Sequence, residues 1–419
     1  MIEHVTNLYQ EVKVIIILQN NPFIIASASA NRWLSLLEGL ALLDAEIELV
    51  FLEGYKSAEE VTKFGITGKH RNIRYEYLHP ILIEGYWKVR FQIYFGQLIS
   101  NGLVRKKLLK SIKNHQGIIW TDSSLLSLRY AVALKELNPK VNLFNEMSEF
   151  LDIYRFNKGN FLQRLIANRR QRLFEREVYP ILDGLALMTK TLFNHYKSFP
   201  APQPIMLHLP MTVDLERFNQ IAPAPIEFQK PYIAFVGVMN DAKDGVNILL
   251  ESFAELAEEF SDYKLYLVGG WNYDTPAHLN LIKERRLENH IFWMKQYPRD
   301  RIPAIIGNAD LLVLPRPDSK QAQGGFPTKL GEYLATGKPV CATTVGELPD
   351  YLIDNESVFF AQPGSVESFA DAMRRALSEP ENAKRVGLNG KKVAQKEFNK
   401  DIQAKKLHQF LLELQDEKK

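Results

Sequence analysis

Two periods of hydrophobicity alternate along the chain. Short runs of consecutive apolar residues, bounded by glycine, proline or charge, read as buried strands at 12–18, 47–52, 117–122, 141–144 and 182–189, and again at 232–237, 265–270, 290–294, 310–315 and 340–344. Between them, apolar positions three and four apart predict amphipathic helices, among them 29–43, 126–137, 190–196, 365–377 and a final helical segment from 381 to 413. Strand followed by helix, repeated, is the pattern of an α/β fold with parallel sheets. The pattern breaks once. From Pro200 to Pro225 proline recurs in a polar setting, which marks a linker more readily than a core element, and the strand beginning at Tyr232 restarts the same architecture. The expected organisation is a Rossmann-like domain over 1–205, a linker over 206–230, a second Rossmann-like domain over 231–380 and a carboxyl-terminal helix over 381–419.

Composition changes this picture little. A chain of 419 residues can build two cores, and 46% hydrophobic with 24% charged residues and no low-complexity tract is the make-up of globular protein. The net charge of +3 is too small to point to nucleic acid, which is not expected as a partner. One cysteine, Cys341, excludes an internal disulfide and a cysteine-based metal cluster, and fits a reducing compartment. It sits in an apolar strand pattern and reads as a buried structural thiol. Met1 to His4 form no basic leader, and the apolar run 14–18 is shorter than a signal or membrane span requires, so a cytoplasmic location is expected. No Asp-x-Asp pair stands out, and no metal is expected.

The stretch best suited to ligand chemistry follows the strand expected at 310–315. It reads Gln323-Gly-Gly-Phe-Pro-Thr-Lys-Leu-Gly-Glu-Tyr-Leu-Ala-Thr-Gly-Lys-Pro-Val340. Gly324 and Gly325 permit close backbone approach at a strand's carboxyl end, and a helix opening near Thr328 offers free amides to an anion such as phosphate. Glu332, about one turn beyond Thr328 and Lys329, can face the same crevice and accept hydrogen bonds from ribose hydroxyls. Gly337 ends the helix as its C-cap, with Pro339 just after it.

These residues resemble the donor-binding signature of retaining glycosyltransferases of the two-domain GT-B fold, family four (glycosyltransferase group 1). Phe326, Glu332, Ala335, Gly337, Pro339 and Val340 fall in register with the family's Glu-Gly-Phe-Gly…Glu-Ala-Met-Ala-x-Gly-x-Pro-Val pattern. Gly237 and Lys243 match the family's Gly-Arg and following lysine. The segment from His208 to Phe218 resembles its Pro-Asn-Gly-Val-Asp-x-x-x-Phe, and Gly346 to Asp350 its next loop. Two positions depart: Gly324 stands where the family carries its first glutamate, which meets the transferred sugar there, and Val238 replaces the phosphate-binding arginine. The resemblance implies two Rossmann-like domains facing a cleft, a nucleotide-diphosphate sugar on the second, a glycan or lipid-linked acceptor on the first, and a final helix that crosses back. It implies transfer with retained configuration and without cofactor or metal, the departing phosphate taking the acceptor proton. Lys243 and Lys329 would stabilise the departing diphosphate, with Arg316 a more remote substitute for the lost arginine. Gly237, Gly324, Gly325, Phe326 and the amides near Thr328 would line the donor, and Glu332 would hold the ribose. Gly269 and Gly270 either admit the nucleotide or make a tight turn.

A second candidate lies at the carboxyl end of the strand expected at 141–144, where Asn145-Glu-Met-Ser-Glu149 brings two carboxylates together. Family members often place a histidine there to touch the sugar; here Glu149 or Glu146 would have to serve, and Glu149 joins Lys243 as a candidate catalytic residue. The alternative is that Glu149 and Asp152 favour the positive end of the next helix. Basic stretches at 105–113 and 164–176 suit either an anionic membrane surface, giving peripheral contact at its inner face, or an ordinary solvated face. Gly324 and Val238 also fit a second reading, a catalytically inactive nucleotide-sugar-binding or scaffold protein of a glycan biosynthetic complex.

Overall fold

The computed structural model describes residues 11–24, 28–82, 101–113, 115–151 and 161–416. The readings that rest on Met1 to His4, on Asp152 and on the Arg105 side chain lie outside the described residues.

Strands β1 (Lys13–Leu18), β2 (Glu46–Phe51), β3 (Thr67–His70), β4 (Ile73–Tyr77), β5 (Ile118–Thr121), β6 (Asn142–Met147), β7 (Gly184–Leu187) and β8 (Ile205–His208) form one sheet, ordered β3-β4-β2-β1-β5-β6-β7-β8. Every neighbouring pair is parallel except β3 with β4. Strands β9 (Tyr232–Val236), β10 (Lys264–Val268), β11 (Ile291–Met294), β12 (Leu311–Leu314), β13 (Val340–Thr343) and β14 (Phe359–Ala361) form the other, wholly parallel and ordered β11-β10-β9-β12-β13-β14. Both sheets are covered on two faces, which is why their strands read as unbroken apolar runs. Ile15 and Ile17 enter one core while Val14, Ile16 and Leu18 enter the opposite one, and Ile233 and Phe235 part from Tyr232 and Ala234 in the same way. In each sheet the order reverses at a strand, β1 and β9, and such switch points leave a crevice at the carboxyl ends.

Two sequence readings need correction. The strand expected to end at Phe144 continues to Met147, because the polar side chains of its last residues find partners inside the fold. Asn145 Nδ2 donates to the Thr121 carbonyl at 2.7 Å, and Glu146 accepts from Arg32. The stretch 182–189 is also not the last strand of the first sheet. β8 adds an edge to it from within the proline-rich region, where Pro204 and Pro210 on either side hid its short apolar run Ile205-Met-Leu207.

The carboxyl-terminal segment is three pieces: the helix Pro380–Val393, a wide turn over Ala394–Phe398, and the helix Lys400–Asp416. At the crossing it runs beside the linker. Val213 donates its amide to the Phe398 carbonyl at 2.7 Å, Lys400 donates to the Val213 carbonyl at 3.0 Å, and the Lys400 ammonium lies 2.9 Å from Asp214. The last helix then buries Leu407, Phe410, Leu411 and Leu414 in the core of the first domain, each such side chain contributing about 1.5–3 kcal/mol of apolar burial.

Candidate functional site

The helix Thr328–Thr336 opens at the carboxyl edge of the second sheet. Its N-cap, Pro327, supplies no side-chain acceptor, so the first-turn amides at Thr328 and Lys329 face the crevice without a cap. From the first turn the Lys329 ammonium reaches back to Asp244 at 2.8 Å and lies 4.4 Å from the ring centroid of Phe235. Gly237 makes this reach feasible, since a Cβ there would stand 2.2 Å from Lys329 Nζ. Asp244 closes the short helix Asp241–Asp244, which is capped by the Asn240 side chain accepting from the Lys243 amide. Arg316, buried just beyond β12, donates Nε to the Lys243 carbonyl at 3.4 Å.

Three cations therefore gather around one carboxylate at the switch point of the second sheet. Burial pulls the Lys329 ammonium below its ordinary range; Asp244 opposes that shift, while Lys243 and Arg316 add to it. Burial likewise lowers the Arg316 guanidinium, against the pull of Asp244 and Glu149. Lys243 itself is exposed at the crevice mouth. Such a surplus of fixed positive charge beside a helix amino terminus is suited to a diphosphate. Val238 is 54% exposed, and its side chain carries no charge for that anion.

Glu332, one turn further along the helix, is engaged by Arg217 at 2.5 Å, with side chains 21% and 15% exposed respectively. Phe326 belongs to the core rather than to a ligand surface. It is buried against Tyr351 and Phe398, with ring centroids at 5.8 and 5.2 Å, so only its backbone is left to line the crevice. Gly324 and Gly325 face the first domain. A Cβ on Gly324 would stand 2.2 Å from the Phe150 ring, and one on Gly325 would stand 3.6 Å from Glu149 Cβ. The ring of Phe150 thus fills the space that an acid at position 324 would need. Gly269 lets the backbone beyond β9 pass close by, since a Cβ there would meet the Gly237 carbonyl at 1.8 Å.

The two carboxylates at the end of β6 separate. Glu146 is buried in an ion pair with Arg32 at 2.6 Å, whose remaining donors serve the Pro210 and Leu209 carbonyls at 2.8 and 2.9 Å, so it ties β6 to the helix Ala28–Ala41. Glu149 faces the second domain and accepts from Gln321 Nε2 at 3.3 Å. Around it the domains touch through several polar contacts. Thr189 Oγ1 donates to the Gly324 carbonyl at 3.0 Å, Lys190 Nζ to Asp350 at 2.7 Å, and the Lys190 amide to Glu347, a carboxylate from one domain at the amino terminus of a helix in the other. Arg217, Asp244, Phe150 and Glu347 were not singled out by the sequence reading. Arg217 lies within the segment 208–218 and Asp244 beside Lys243, but nothing local signalled their partners.

The basic stretches form the helices Asn101–Ile112 and Phe161–Leu173, with Lys106, Lys107, Lys110, Arg164, Arg169 and Arg172 exposed. Among the described residues no helix is long and apolar enough to cross a membrane, and no three His, Cys, Asp or Glu side chains converge as a metal-holding group. Burial pushes the Cys341 thiol up, in keeping with a structural role.

Residues 216–393 match the family model described as Glycosyl transferases group 1. Among curated relatives, the 2-deoxystreptamine glucosyltransferase of Streptomyces kanamyceticus is 29% identical over 43% of this chain and 47% of its own length. The MMP alpha-(1->4)-mannosyltransferase of Mycolicibacterium hassiacum is 26% identical over 48% of this chain and 46% of its own. The chain thus spans about half the length of these relatives. Among solved structures, the sucrose-phosphate synthase of Thermosynechococcus elongatus superposes with a TM-score of 0.73 at 16% identity, over 96% of this chain and 99% of that one. Anabaena HepE, in complex with UDP, gives 0.69 at 12% identity, over 96% and 100%. Residues 216–393 are thus similar to the glycosyl transferases group 1 domain, in a molecule that has the two-domain GT-B fold.

Proposed function

We propose that the protein is a glycosyltransferase that moves a sugar from a nucleotide-diphosphate sugar to a glycan or lipid-linked acceptor, with retained anomeric configuration and without a metal. The observation that carries the reading is the convergence of Lys243, Lys329, Arg316 and the amino terminus of the helix Thr328–Thr336 at one end of β9. As the bond from sugar to phosphate breaks, charge develops on the diphosphate; these groups are fixed in advance and need little reorganisation to receive it. Glu332 accepts the ribose hydroxyls. Glu149, which faces the second domain beyond the end of β6, stabilises positive charge on the sugar. The departing phosphate takes the acceptor proton. The two related curated transferases and the UDP bound by HepE support the donor class. Exposed cations on the helices Asn101–Ile112 and Phe161–Leu173 suit peripheral contact with an anionic membrane carrying a lipid-linked acceptor; failure to sediment with anionic vesicles at low salt removes that part.

One observation favours a second reading. Phe150 occupies the space beside Gly324, so the second domain lacks a sugar-facing acid there, as an inert nucleotide-sugar binder could. Incubation with uridine- and guanosine-diphosphate sugars, followed by NMR of the released or transferred sugar, separates the two. Turnover with an initial product of the donor's own configuration supports the transferase, inverted product contradicts retention, and binding without turnover in the presence of acceptors favours the inert binder.

A further inference from the structure

Glu332 is held from outside its own helix. Arg217, in the linker turn Leu215–Phe218, donates Nη1 to Glu332 Oε1 at 2.5 Å and Nη2 to the Arg299 carbonyl at 2.8 Å, and its guanidinium lies 5.6 Å from the ring centroid of buried Phe218. Glu332 Oε2 accepts no hydrogen bond among the described residues. We propose that Arg217 is a positioning residue of the nucleotide site: by fixing one oxygen of Glu332 it presents the other to the ribose hydroxyls of the bound nucleotide. The inference rests on the nucleotide-sugar reading above.

The physical argument has three parts. A glutamate side chain loses rotamer freedom when it binds a ligand, and a tether already in place removes part of that cost before the ligand arrives. A carboxylate is an acceptor only, the character a pair of hydroxyl donors requires. The tether is also set by packing. A Cβ on Gly331 would stand 2.2 Å from Met211 Cε, so the linker is pressed onto the helix and the distance from Arg217 to Glu332 has little slack. Arginine is needed because two acceptors are served at once by a planar fork, which a lysine ammonium cannot reproduce.

The test compares the binding of uridine diphosphate and guanosine diphosphate with that of their 2′,3′-dideoxy forms, in wild type, Arg217→Lys, Arg217→Ala and Glu332→Gln, with a melting curve for each variant. The wild type is expected to bind one ribonucleotide roughly tenfold or more tighter than its dideoxy form. In both Arg217 variants that preference should shrink toward the level of Glu332→Gln, while affinity for the dideoxy form stays unchanged. Arg217→Lys keeps the charge and the aliphatic stem, so it remains decisive if the alanine variant fails to fold. A full preference in the Arg217 variants, together with its loss in Glu332→Gln, overturns the positioning role and leaves the nucleotide reading intact. A wild type that binds neither nucleotide, or does not distinguish ribose from dideoxyribose, overturns the ribose assignment and the inference with it.

Discussion

Lys329 sits where a lysine holds its proton less firmly than in water, and that has a direction in pH. Because burial disfavours the ammonium, the native protein releases this proton below the ordinary lysine value of 10.5. Diphosphate affinity that depends on the charge should therefore fall on the alkaline side before 10.5, with proton uptake on binding in the same window. Lys329→Arg should move the alkaline limb upward; limbs that coincide in the two proteins would contradict the role. Stability runs the other way. Between the lowered native value and the unfolded one, the unfolded chain binds the extra proton, so this group's contribution to folding rises with pH. Gly324 supports a second prediction. Restoring an acid by Gly324→Glu should not create a sugar-binding residue, because its Cβ would overlap the Phe150 ring at 2.2 Å. Overpacking of this kind costs about 1–3 kcal/mol, read as a lower melting temperature, and Phe150→Ala in the same chain should recover part of it. The sequence showed that position 324 lacks its acid. The ring that fills the gap comes from the other domain and leaves no trace in local pattern.

At the scale of elements, the helix Thr328–Thr336 was legible from both ends. Gly337 is its left-handed C-cap at φ 77, with Pro339 just beyond, and Thr328 is its first residue. What local pattern could not supply was the reach of its side chains. Lys329 bonds Asp244 on the short helix after β9, and Glu332 bonds Arg217 on the linker. The same limit explains the strands. β6 runs on because Arg32, far back in the chain, neutralises Glu146, and β8 escaped notice because its short apolar run lies between Pro204 and Pro210 in a stretch that reads as a linker. Gly237→Ala isolates the joint between β9 and this helix. The new methyl would stand 2.2 Å from the flexible end of Lys329, at Nζ, and 3.2 Å from Phe235 Cζ, so the fold should tolerate it with a small shift of the ring while the ammonium is displaced. Calorimetry should then show weaker diphosphate binding with a nearly unchanged melting temperature; an unchanged affinity would remove Lys329 from the site.

Across the whole molecule, the two domains are joined twice, by the linker and by the returning helix, and they touch again around Gly324, Thr189, Lys190 and Glu347. The returning helix is part of the first domain's core, although it lies at the far end of the chain. Leu407→Ala should cost about 2–5 kcal/mol, seen in denaturant unfolding as loss of the first domain's stability rather than as fraying of a terminal helix. The α/β architecture and its restart at Tyr232 followed from hydrophobic period, since parallel strands buried on both faces announce themselves. The chemistry depends on charges brought together across the fold, and those were legible only as candidates. The central claim is that a nucleotide diphosphate sits on the cations at the end of β9 with its ribose against Glu332. The most direct measurement is calorimetric titration of uridine and guanosine diphosphates and their sugars into wild type, Lys243→Ala, Lys329→Ala and Glu332→Ala, with melting curves as control. The account predicts binding in wild type, weakened roughly tenfold or more in the Lys329 and Glu332 variants and less at exposed Lys243, with folding retained. Equal binding in all four proteins, or none in wild type, would contradict it.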